Sequence, residues 1–196
     1  MIDKLKKQIR GEVYSDEITR RIYSIDASIY QQEPQVVLVP RSREDIQYAV
    51  QWAAEQGLPV TARGAATGIN GACLGPGLIV DCSKYLTKIL EVNLEEGYAL
   101  CQPGVIQDQL NRALAPYSSC LGPDTSTGSR ATVGGMLGNN SAGAHSIRYG
   151  KMVDHVLATD LIMSDGECGH FSEETAESFR KRILLGDRQS KVYQTL

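Results

Sequence analysis

The chain has 196 residues, of which 42% are hydrophobic, 22% charged and 6% aromatic, and 20 basic against 23 acidic side chains give a net charge of -3. That length suits one domain, or one domain with a small lobe. The ordinary apolar fraction and the low net charge exclude an intrinsically disordered chain. A nucleic-acid-binding protein is disfavoured, because no run of Lys or Arg forms a basic face.

Membrane proteins and disulfide-rich proteins are also disfavoured. No apolar stretch approaches the roughly 20 residues that a membrane-spanning helix needs, and residues 1–17 lack the apolar core of a signal peptide. We therefore expect a cytoplasmic chain. The number of cysteines is odd, which indicates reduced thiols. No two of them form a Cys-x-x-Cys pair, so a metal site is not expected. They are Cys73, Cys82, Cys101, Cys120 and Cys168.

The first predicted elements alternate between helix and strand. Residues 16–25 predict a helix with Asp16 as its N-cap, and its apolar face consists of Ile18, Ile22 and Ile25. The next elements are a buried strand (35–40), a helix that starts from a capping box at Ser42 and ends at Gly57, and a second strand (58–62). Together they form a βαβ unit.

The second half predicts mixed α and β structure with long loops. Strands are expected over 77–81, 88–92 and 98–101, then a helix after Gly104 that buries Val105, Ile106, Leu110 and Leu114. Residues 122–150 have no clear periodicity, which is typical of a functional loop system. A hairpin over 156–171 and an amphipathic helix over 172–185, with Phe179, Ile183 and Leu184 on its apolar side, complete the chain.

Glycine is the anomaly in the composition. Fifteen of the 19 glycines lie between Gly57 and Gly150, and such clustering indicates turns or backbone that approaches a ligand. Three segments are rich in small and polar residues, namely 63–71, 122–126 and 131–143. We call them the first, second and third glycine segments.

These segments suit a long, flat, phosphorylated ligand. The first leaves a strand, so its backbone N–H groups can form an anion nest, with the Thr67 hydroxyl as a further donor. In the third, Gly134 and Gly135 let the main chain lie against a planar group, and polar side chains, among them Asn139, can bind a ring edge or a sugar. A single segment of this kind is more often a tight turn. No Gly-x-Gly-x-x-Gly occurs, so a Rossmann fold has no support.

Seven short motifs occur in an order that resembles the FAD-linked oxidases of the vanillyl-alcohol oxidase and p-cresol methylhydroxylase type. They are Pro40-x-x-x-Glu-Asp45, Val60-x-x-Arg-Gly-x-x-Thr-Gly68, Pro103-Gly104, Gly122-Pro-Asp124, Thr132-Val-Gly-Gly-Met136, Asn139-Asn-Ser-Ala-Gly143 and Tyr149-Gly150. Within that family the chain is most similar to the D-lactate, glycolate and D-2-hydroxyglutarate dehydrogenase branch. Asp26-Ala-Ser-Ile-Tyr30 is similar to the members that fuse a flavin half to an iron–sulfur half.

The resemblance implies an α+β fold with two α/β subdomains, the second incomplete. Its parts would be an N-terminal helical segment (1–33), a first FAD-binding subdomain (34–104) and a truncated second one (105–196). The pyrophosphate would be held by Gly64, Ala65, Ala66, Thr67 and Gly68, and that wall would continue through Asn70, Gly71 and Ala72. The adenosine and flavin side would be lined by Pro123, Thr132, Gly134, Gly135, Asn140, Ser141 and Gly143.

Other consequences of the resemblance concern chemistry. Residues 63–73 contain no histidine, so FAD is expected to be non-covalent. Arg63 either belongs to this wall or pairs with a structural carboxylate. The resemblance assigns no catalytic residue and no metal ligand to this chain, because in the family the base and the metal site belong to a substrate-binding cap that this sequence lacks. The fragment is therefore expected to be inactive alone.

The implied activity of the longer enzyme is oxidation of a small 2-hydroxy acid. Electrons would pass to a quinone, a cytochrome or an iron–sulfur domain, and the enzyme would be cytoplasmic or associated with a membrane. Alternatives of the same fold are a sugar or alcohol oxidase and the reductase that makes UDP-N-acetylmuramate. A non-catalytic module that binds a nucleotide or a partner, and a glycine-rich domain that binds nothing, remain alternatives of other classes.

Overall fold

A four-stranded sheet forms the centre of the first half of the chain. The computed structural model describes residues 2–195. The strands are β1 (Glu12–Tyr14), β2 (Val36–Val39), β3 (Val60–Arg63) and β4 (Leu78–Asp81). Their order in the sheet is β1-β2-β4-β3; β2, β4 and β3 are parallel, and β1 is antiparallel to β2.

The predicted βαβ unit is confirmed, with β4 inserted between its two strands. All residues of β2 and β4 are buried, as expected for central parallel strands that are covered on both faces. By contrast, β3 alternates between exposed and half-buried residues. The sheet therefore places its two most apolar strands in the middle and β3, which leads into the first glycine segment, at the edge.

Helix α3 (Arg43–Glu55) covers this sheet. Its N-cap is Ser42, whose hydroxyl accepts a hydrogen bond from the Asp45 N–H. The helix buries Ala49, Trp52 and Ala53 against β2 and β4, and α1 (Ile2–Gln8) adds Leu5 to the same core. After α3 the chain turns at Gly57, which has a φ of +65°. The predicted start and end of this helix are confirmed.

Helix α2 (Glu17–Ile22) confirms a predicted helix but not its buried face. Asp16 is the N-cap, as expected. However, Ile18, Ile22 and Ile25 are 74%, 61% and 53% exposed. The polar side of the helix faces the protein instead, because Arg20 Nε donates to the Pro34 carbonyl oxygen at 2.7 Å. The apolar periodicity was therefore a correct signal for helix and a wrong signal for burial.

The second half contains two hairpins and several short helices. Its elements are β5 (Ile89–Asn93), β6 (Tyr98–Cys101), α4 (Gln107–Leu114), α5 (Val133–Gly138), α6 (Ser146–Tyr149), β7 (Ala158–Ile162), β8 (Cys168–Ser172), α7 (Ala176–Arg182) and α8 (Arg188–Tyr193), with 3-10 turns at Ala115–Tyr117 and Met152–His155. The strand pairs β5–β6 and β7–β8 are antiparallel. This mixture confirms the α+β expectation.

Some predictions for this half were only partly right. Around α4, Val105 and Leu110 are buried, whereas Ile106 and Leu114 are half-buried. The C-terminal helix begins at Ala176 rather than residue 172, because β8 continues to Ser172 and Thr175 provides the N-cap. Leu184, expected on its apolar side, is 82% exposed.

A second, smaller core fixes the position of α5. Ala131, Met136 and Met152 are buried together, with Leu121 and Val156 packed against them. Among residues 2–195, no helix is both long and apolar enough to cross a membrane. The proposed domain boundaries stay predictions, and the structure adds that residues 12–14, within the N-terminal segment, pair with β2.

Candidate functional site

The first glycine segment begins where β3 ends. Arg63 is the last residue of that strand, so residues 64–71 leave the sheet at the carboxyl end of its parallel strands, where ligands of open parallel sheets usually bind. Ala66 has a φ of +55°, a left-handed conformation that residues other than glycine rarely adopt. The segment therefore leaves the strand through a left-handed residue that is not glycine.

The backbone donors of this segment are available to a ligand. Within residues 2–195, none of the eight N–H groups from Gly64 to Gly71 donates a hydrogen bond to another group of the chain. Residues 64–68 are all half-buried, and a buried N–H group without a partner is costly. Residues 63–75 also contain no Asp or Glu. The donor set therefore fits an anionic, phosphorylated group.

In the third glycine segment, by contrast, backbone N–H groups donate hydrogen bonds to other groups of the chain. This segment contains α5 (Val133–Gly138), a helix within the residues 122–150 that lack periodicity in the sequence and were expected to be loop. The Val133 N–H donates to the Val105 carbonyl at 2.7 Å, and the Gly134 N–H donates to the Pro103 carbonyl at 2.8 Å. The Gly135 N–H donates to Thr132 Oγ1 at 3.2 Å. The first donors of α5 are thus already satisfied.

Packing explains one of the glycines in α5. A Cβ atom on Gly134 would lie 2.6 Å from the Cβ of Pro103, whereas one on Gly135 would meet only Thr132 Oγ1, at 3.0 Å. Gly134 is therefore required by the contact between α5 and the chain before α4. The predicted contacts of Thr132, Gly134 and Gly135 with the cofactor stay predictions.

The structure brings the first and third segments together. A Cβ atom on Gly64 would lie 2.2 Å from Thr132 Oγ1, and one on Gly68 would lie 3.5 Å from Asn139 Nδ2. Thus the loop with free backbone donors lies directly against both ends of α5. The first and third glycine segments, which are far apart in the sequence, therefore form one continuous surface.

The second segment is tied to the end of the third. The buried Pro123 carbonyl accepts a hydrogen bond from Gln107 Nε2 at 2.7 Å. Asp124 Oδ1 accepts a hydrogen bond from the His145 backbone N–H at 2.9 Å, and Asp124 Oδ2 lies 2.6 Å from the ring atom Nδ1 of His145. These hydrogen bonds lower the pKa of Asp124. A Cβ atom on Gly143 would collide with the Asp124 carbonyl oxygen. No sequence pattern indicated the contacts of Gln107 and His145.

Asn140 and Ser141 hold the next turn of the chain. Asn140 has a φ of +47°, and its Oδ1 accepts a hydrogen bond from the Val153 N–H at 3.0 Å. The Ser141 carbonyl accepts one from the Met152 N–H at 2.9 Å. These contacts support the 3-10 turn at residues 152–155. Any additional contact with a ligand stays a prediction.

The remaining predicted residues lie on the far side of the first segment. Asn70 Oδ1 accepts a weak hydrogen bond from the Ala72 N–H at 3.4 Å, and Gly71 has a φ of +73° beside the Tyr30 ring. Arg63 donates to main-chain carbonyls, of Tyr23 at 3.3 Å and Ile25 at 2.9 Å, rather than to a carboxylate. Of the two alternatives for Arg63, pairing with a structural carboxylate is therefore not seen among residues 2–195.

Two clefts elsewhere on the surface are separate from the glycine segments. One lies beside α4 and includes Ile106, Arg112 and Ser129. The other lies where residues 8–10 face the start of α3. Neither contains a residue of the three segments, so both clefts are distinct from the predicted cofactor site.

Comparison with known proteins gives a consistent assignment. Residues 34–172 match the FAD binding domain family. The chain is 40% identical over 188 residues to D-2-hydroxyglutarate dehydrogenase of Pseudomonas putida, an alignment that covers 94% of this chain and 19% of that protein. It is 30% identical to glycolate oxidase subunit GlcD of Bacillus subtilis, covering 85% of this chain and 37% of the relative. The chain thus spans between 19% and 37% of the length of these relatives.

Solved structures show the same fold. An alkyldihydroxyacetonephosphate synthase superposes with a TM-score of 0.74 at 20% identity, covering 88% of this chain and 34% of that one. The 6-hydroxy-D-nicotine oxidase of Arthrobacter nicotinovorans gives 0.72 at 22% identity, covering 84% and 36%. The expected α+β fold of the p-cresol methylhydroxylase type is confirmed. The family match over residues 34–172 confirms FAD as the cofactor. The chain belongs to the FAD-binding domain family of the FAD-linked oxidases and dehydrogenases.

Proposed function

We propose that this chain is the FAD-binding portion of a flavin-dependent oxidoreductase that oxidises a small 2-hydroxy acid. The observation that carries the proposal is the run of eight backbone N–H groups in the first glycine segment that have no hydrogen-bond partner among residues 2–195. The relatives support the substrate class, since their names specify D-2-hydroxyglutarate, glycolate and D-lactate. Conversion of such an acid is a property of the whole protein.

In this proposal the first segment binds the pyrophosphate. Its N–H groups, from Gly64 to Gly71, supply hydrogen bonds to the phosphate oxygens, and the Thr67 hydroxyl adds another donor. The absence of carboxylates in residues 63–75 avoids repulsion of the two negative charges. Backbone donors suffice for this task, so no lysine is needed.

The second and third segments orient the rest of the cofactor. Gly135 is the candidate for close approach of backbone to the ligand, because little inside the chain occupies the space of its missing side chain. Bound FAD supplies the electron-accepting chemistry. Cofactor attachment without a covalent bond is part of the proposal, since residues 63–73 contain no histidine.

The chain itself supplies binding residues and no catalytic base. We therefore assign substrate oxidation, and transfer of electrons to a quinone, cytochrome or iron–sulfur domain, to a protein in which this unit is joined to a substrate-binding part. A dye-reduction assay with D-2-hydroxyglutarate, D-lactate and glycolate tests the substrate class. The FAD-loaded chain alone should not turn over, whereas the complete enzyme should reduce the dye with one of these acids and not with sugars or simple alcohols.

The pyrophosphate assignment is tested by a charge placed in the first segment. Gly68→Asp is the informative change, because a Cβ atom there has ordinary contacts of 3.5 Å with Asn139 and Asn70. Gly68→Asn is the matched control, with nearly the same shape and no charge. Titration with FAD, followed by flavin fluorescence, should show at least about tenfold weaker binding for Asp than for Asn, or 1.4 kcal/mol. Equal affinities would contradict the assignment.

A further inference from the structure

A segment outside the matched domain lies against the first glycine segment. Residues 23–30, which we call the strap, follow α2 and precede the matched range of 34–172. The Ala27 N–H donates to the Ala66 carbonyl oxygen at 3.1 Å. The Tyr30 ring lies beside Gly71, where a Cβ atom would be 3.0 Å from Tyr30 Cδ2. The strap thus contacts the glycine segment in its middle and at its end.

Arg63 and Asp81 fasten the start of the strap to the sheet. These residues face each other in the register of β3 and β4, at the carboxyl ends of both strands. Arg63 donates to the carbonyls of Tyr23 and Ile25, and its guanidinium carbon lies 4.9 Å from the centre of the Tyr23 ring. The Tyr23 hydroxyl donates to Asp81 Oδ2 at 2.7 Å. Arg63 at the end of β3 and Asp81 at the end of β4 therefore hold the first residues of the strap, 23–25, against the sheet.

A second connection links the strap to the far end of the glycine segment. The Cys73 thiol donates to Asp26 Oδ2 at 3.4 Å, and Asp26 Oδ1 accepts a hydrogen bond from the Ser28 N–H at 2.8 Å. Arg63 also lies 3.9 Å from Cys73 Sγ. The strap is consequently connected to residues on both sides of the free backbone donors, 63 and 73.

The backbone shape of the glycine segment needs such support. Ala66 is in the left-handed region, with a φ of +55°, and a non-glycine residue stays there only when its surroundings fix it. Its carbonyl receives the Ala27 N–H, whereas its own N–H has no partner among residues 2–195. The single hydrogen bond to Ala66 thus comes from the strap.

We propose that the strap is a structural part of the cofactor site and that Arg63 is a positioning residue, which fixes the strap so that Ala27 holds the first glycine segment in its ligand-binding shape. The proposal rests on the assignment of that segment to the FAD pyrophosphate. The cofactor-binding unit then includes residues 23–30, which precede the start of the family match at residue 34. Arg63 acts through the strap and does not itself bind the phosphates.

The test compares arginine variants of the whole chain. Arg63→Met removes the donors and keeps the length of the side chain, and Arg63→Lys keeps a cation that can still reach a carbonyl. Arg20→Met is the matched control, because Arg20 also donates to a main-chain carbonyl, that of Pro34, and pairs with Glu33 at 2.8 Å, away from the glycine segment. The readouts are the FAD dissociation constant and, without FAD, the hydrogen exchange of the Ala27 amide.

We expect Arg63→Met to weaken FAD binding at least about tenfold and to accelerate Ala27 exchange to a similar degree, each equivalent to 1.4 kcal/mol. Arg63→Lys should restore part of both effects, and Arg20→Met should change neither by more than about twofold. A variant with released Ala27 and unchanged FAD affinity would overturn the proposal. So would a variant that binds FAD weakly but keeps Ala27 protected.

The proposed function and the positioning role of Arg63 are contradicted by different results. If the unmodified chain does not bind FAD, the proposed function is contradicted, while the exchange of Ala27 still decides whether Arg63 fixes the strap. Should Arg63→Met fail to fold, Ala27→Pro removes the N–H that donates to the Ala66 carbonyl and leaves Arg63 unchanged. An FAD affinity of Ala27→Pro equal to that of the unmodified chain would then overturn the proposal.

Discussion

Gly64 and Thr132 lie in direct contact although they belong to different halves of the chain. A Cβ atom on Gly64 would lie 2.2 Å from Thr132 Oγ1, and Thr132 is 3% exposed. The same hydroxyl accepts the Gly135 N–H and so caps α5. A single oxygen atom therefore fixes the start of α5 and the start of the first glycine segment relative to each other.

The first prediction concerns that contact. Gly64→Ala should destabilise the fold by about 1–3 kcal/mol, the usual cost of overpacking. Thr132→Ala should cost about 1 kcal/mol through loss of the cap. Because it removes the colliding oxygen, the double variant should cost less than the sum. Urea unfolding of the four proteins measures this coupling, and additive costs would show that the two residues do not share an interface.

A second prediction concerns the left-handed residue of the first segment. Ala66→Gly should stabilise the fold by about 0.5–1 kcal/mol, because relief of the left-handed conformation exceeds the entropy that glycine loses. Ala65 does not have a positive φ, so Ala65→Gly is the control and should destabilise by about 0.5–1 kcal/mol. Thermal unfolding of both variants checks the sign. Equal shifts would contradict the conformation assigned to Ala66.

The glycines of α5 should respond in opposite directions to the same substitution. Gly134→Ala places a methyl group 2.6 Å from the Cβ of Pro103 and should cost about 1–3 kcal/mol. Gly138→Ala meets no atom within 4 Å and should be neutral or stabilising by up to about 1 kcal/mol, since alanine favours helix. Denaturant unfolding distinguishes them. Similar effects at both positions would mean that packing on Pro103 does not explain Gly134.

Acid stability should depend on Glu12. Hydrogen bonds from Lys84, Tyr14 and Tyr85 lower the pKa of Glu12 from its ordinary 4.5 to about 2. A carboxylate with a lowered pKa stabilises the fold above the pKa of the unfolded chain, and that stability is lost as the pH falls toward the folded-state pKa. The stabilisation by Glu12 should therefore disappear between about pH 4.5 and about pH 2.

Glu12→Gln isolates this effect from the other carboxylates. At pH 7 the variant should be less stable than the unmodified chain, and the difference should shrink as the pH falls through that range. The melting temperatures of both proteins from pH 7 to pH 2 provide the measurement. A difference that stays constant with pH would show that the Glu12 charge does not contribute to stability.

The sequence predicted the elements whose signal is local. Ser42 and Gly57 mark the ends of α3, and the apolar run of β2 is as buried as expected. Local patterns did not reveal that β4 lies between β2 and β3, since strand order depends on contacts between distant residues. The exposed Ile18 and Ile22 illustrate the same limit, because periodicity does not say whether a neighbour covers the helix.

The candidate site was predictable in composition and not in its contacts. Clustered glycines and the motif order identified the segments, yet the helix at Val133–Gly138 was missed because two adjacent glycines disfavour helix. Its first two N–H groups donate to carbonyls about 30 residues earlier in the chain, those of Val105 and Pro103. Likewise, the carbonyl partners of Arg63 lie in the strap, about 40 residues earlier, and no short motif signals such a contact.

The central claim is that the free backbone donors of the first glycine segment hold the phosphates of FAD. The most direct measurement is a titration of the nitrogen-15-labelled chain with FAD, followed through its amide resonances by NMR. We expect the largest shifts at the amides of residues 64–71, and small shifts at the amides of residues 133 and 134, whose hydrogen bonds are made within the chain. Saturable FAD binding that leaves the amides of 64–71 unchanged would contradict the account.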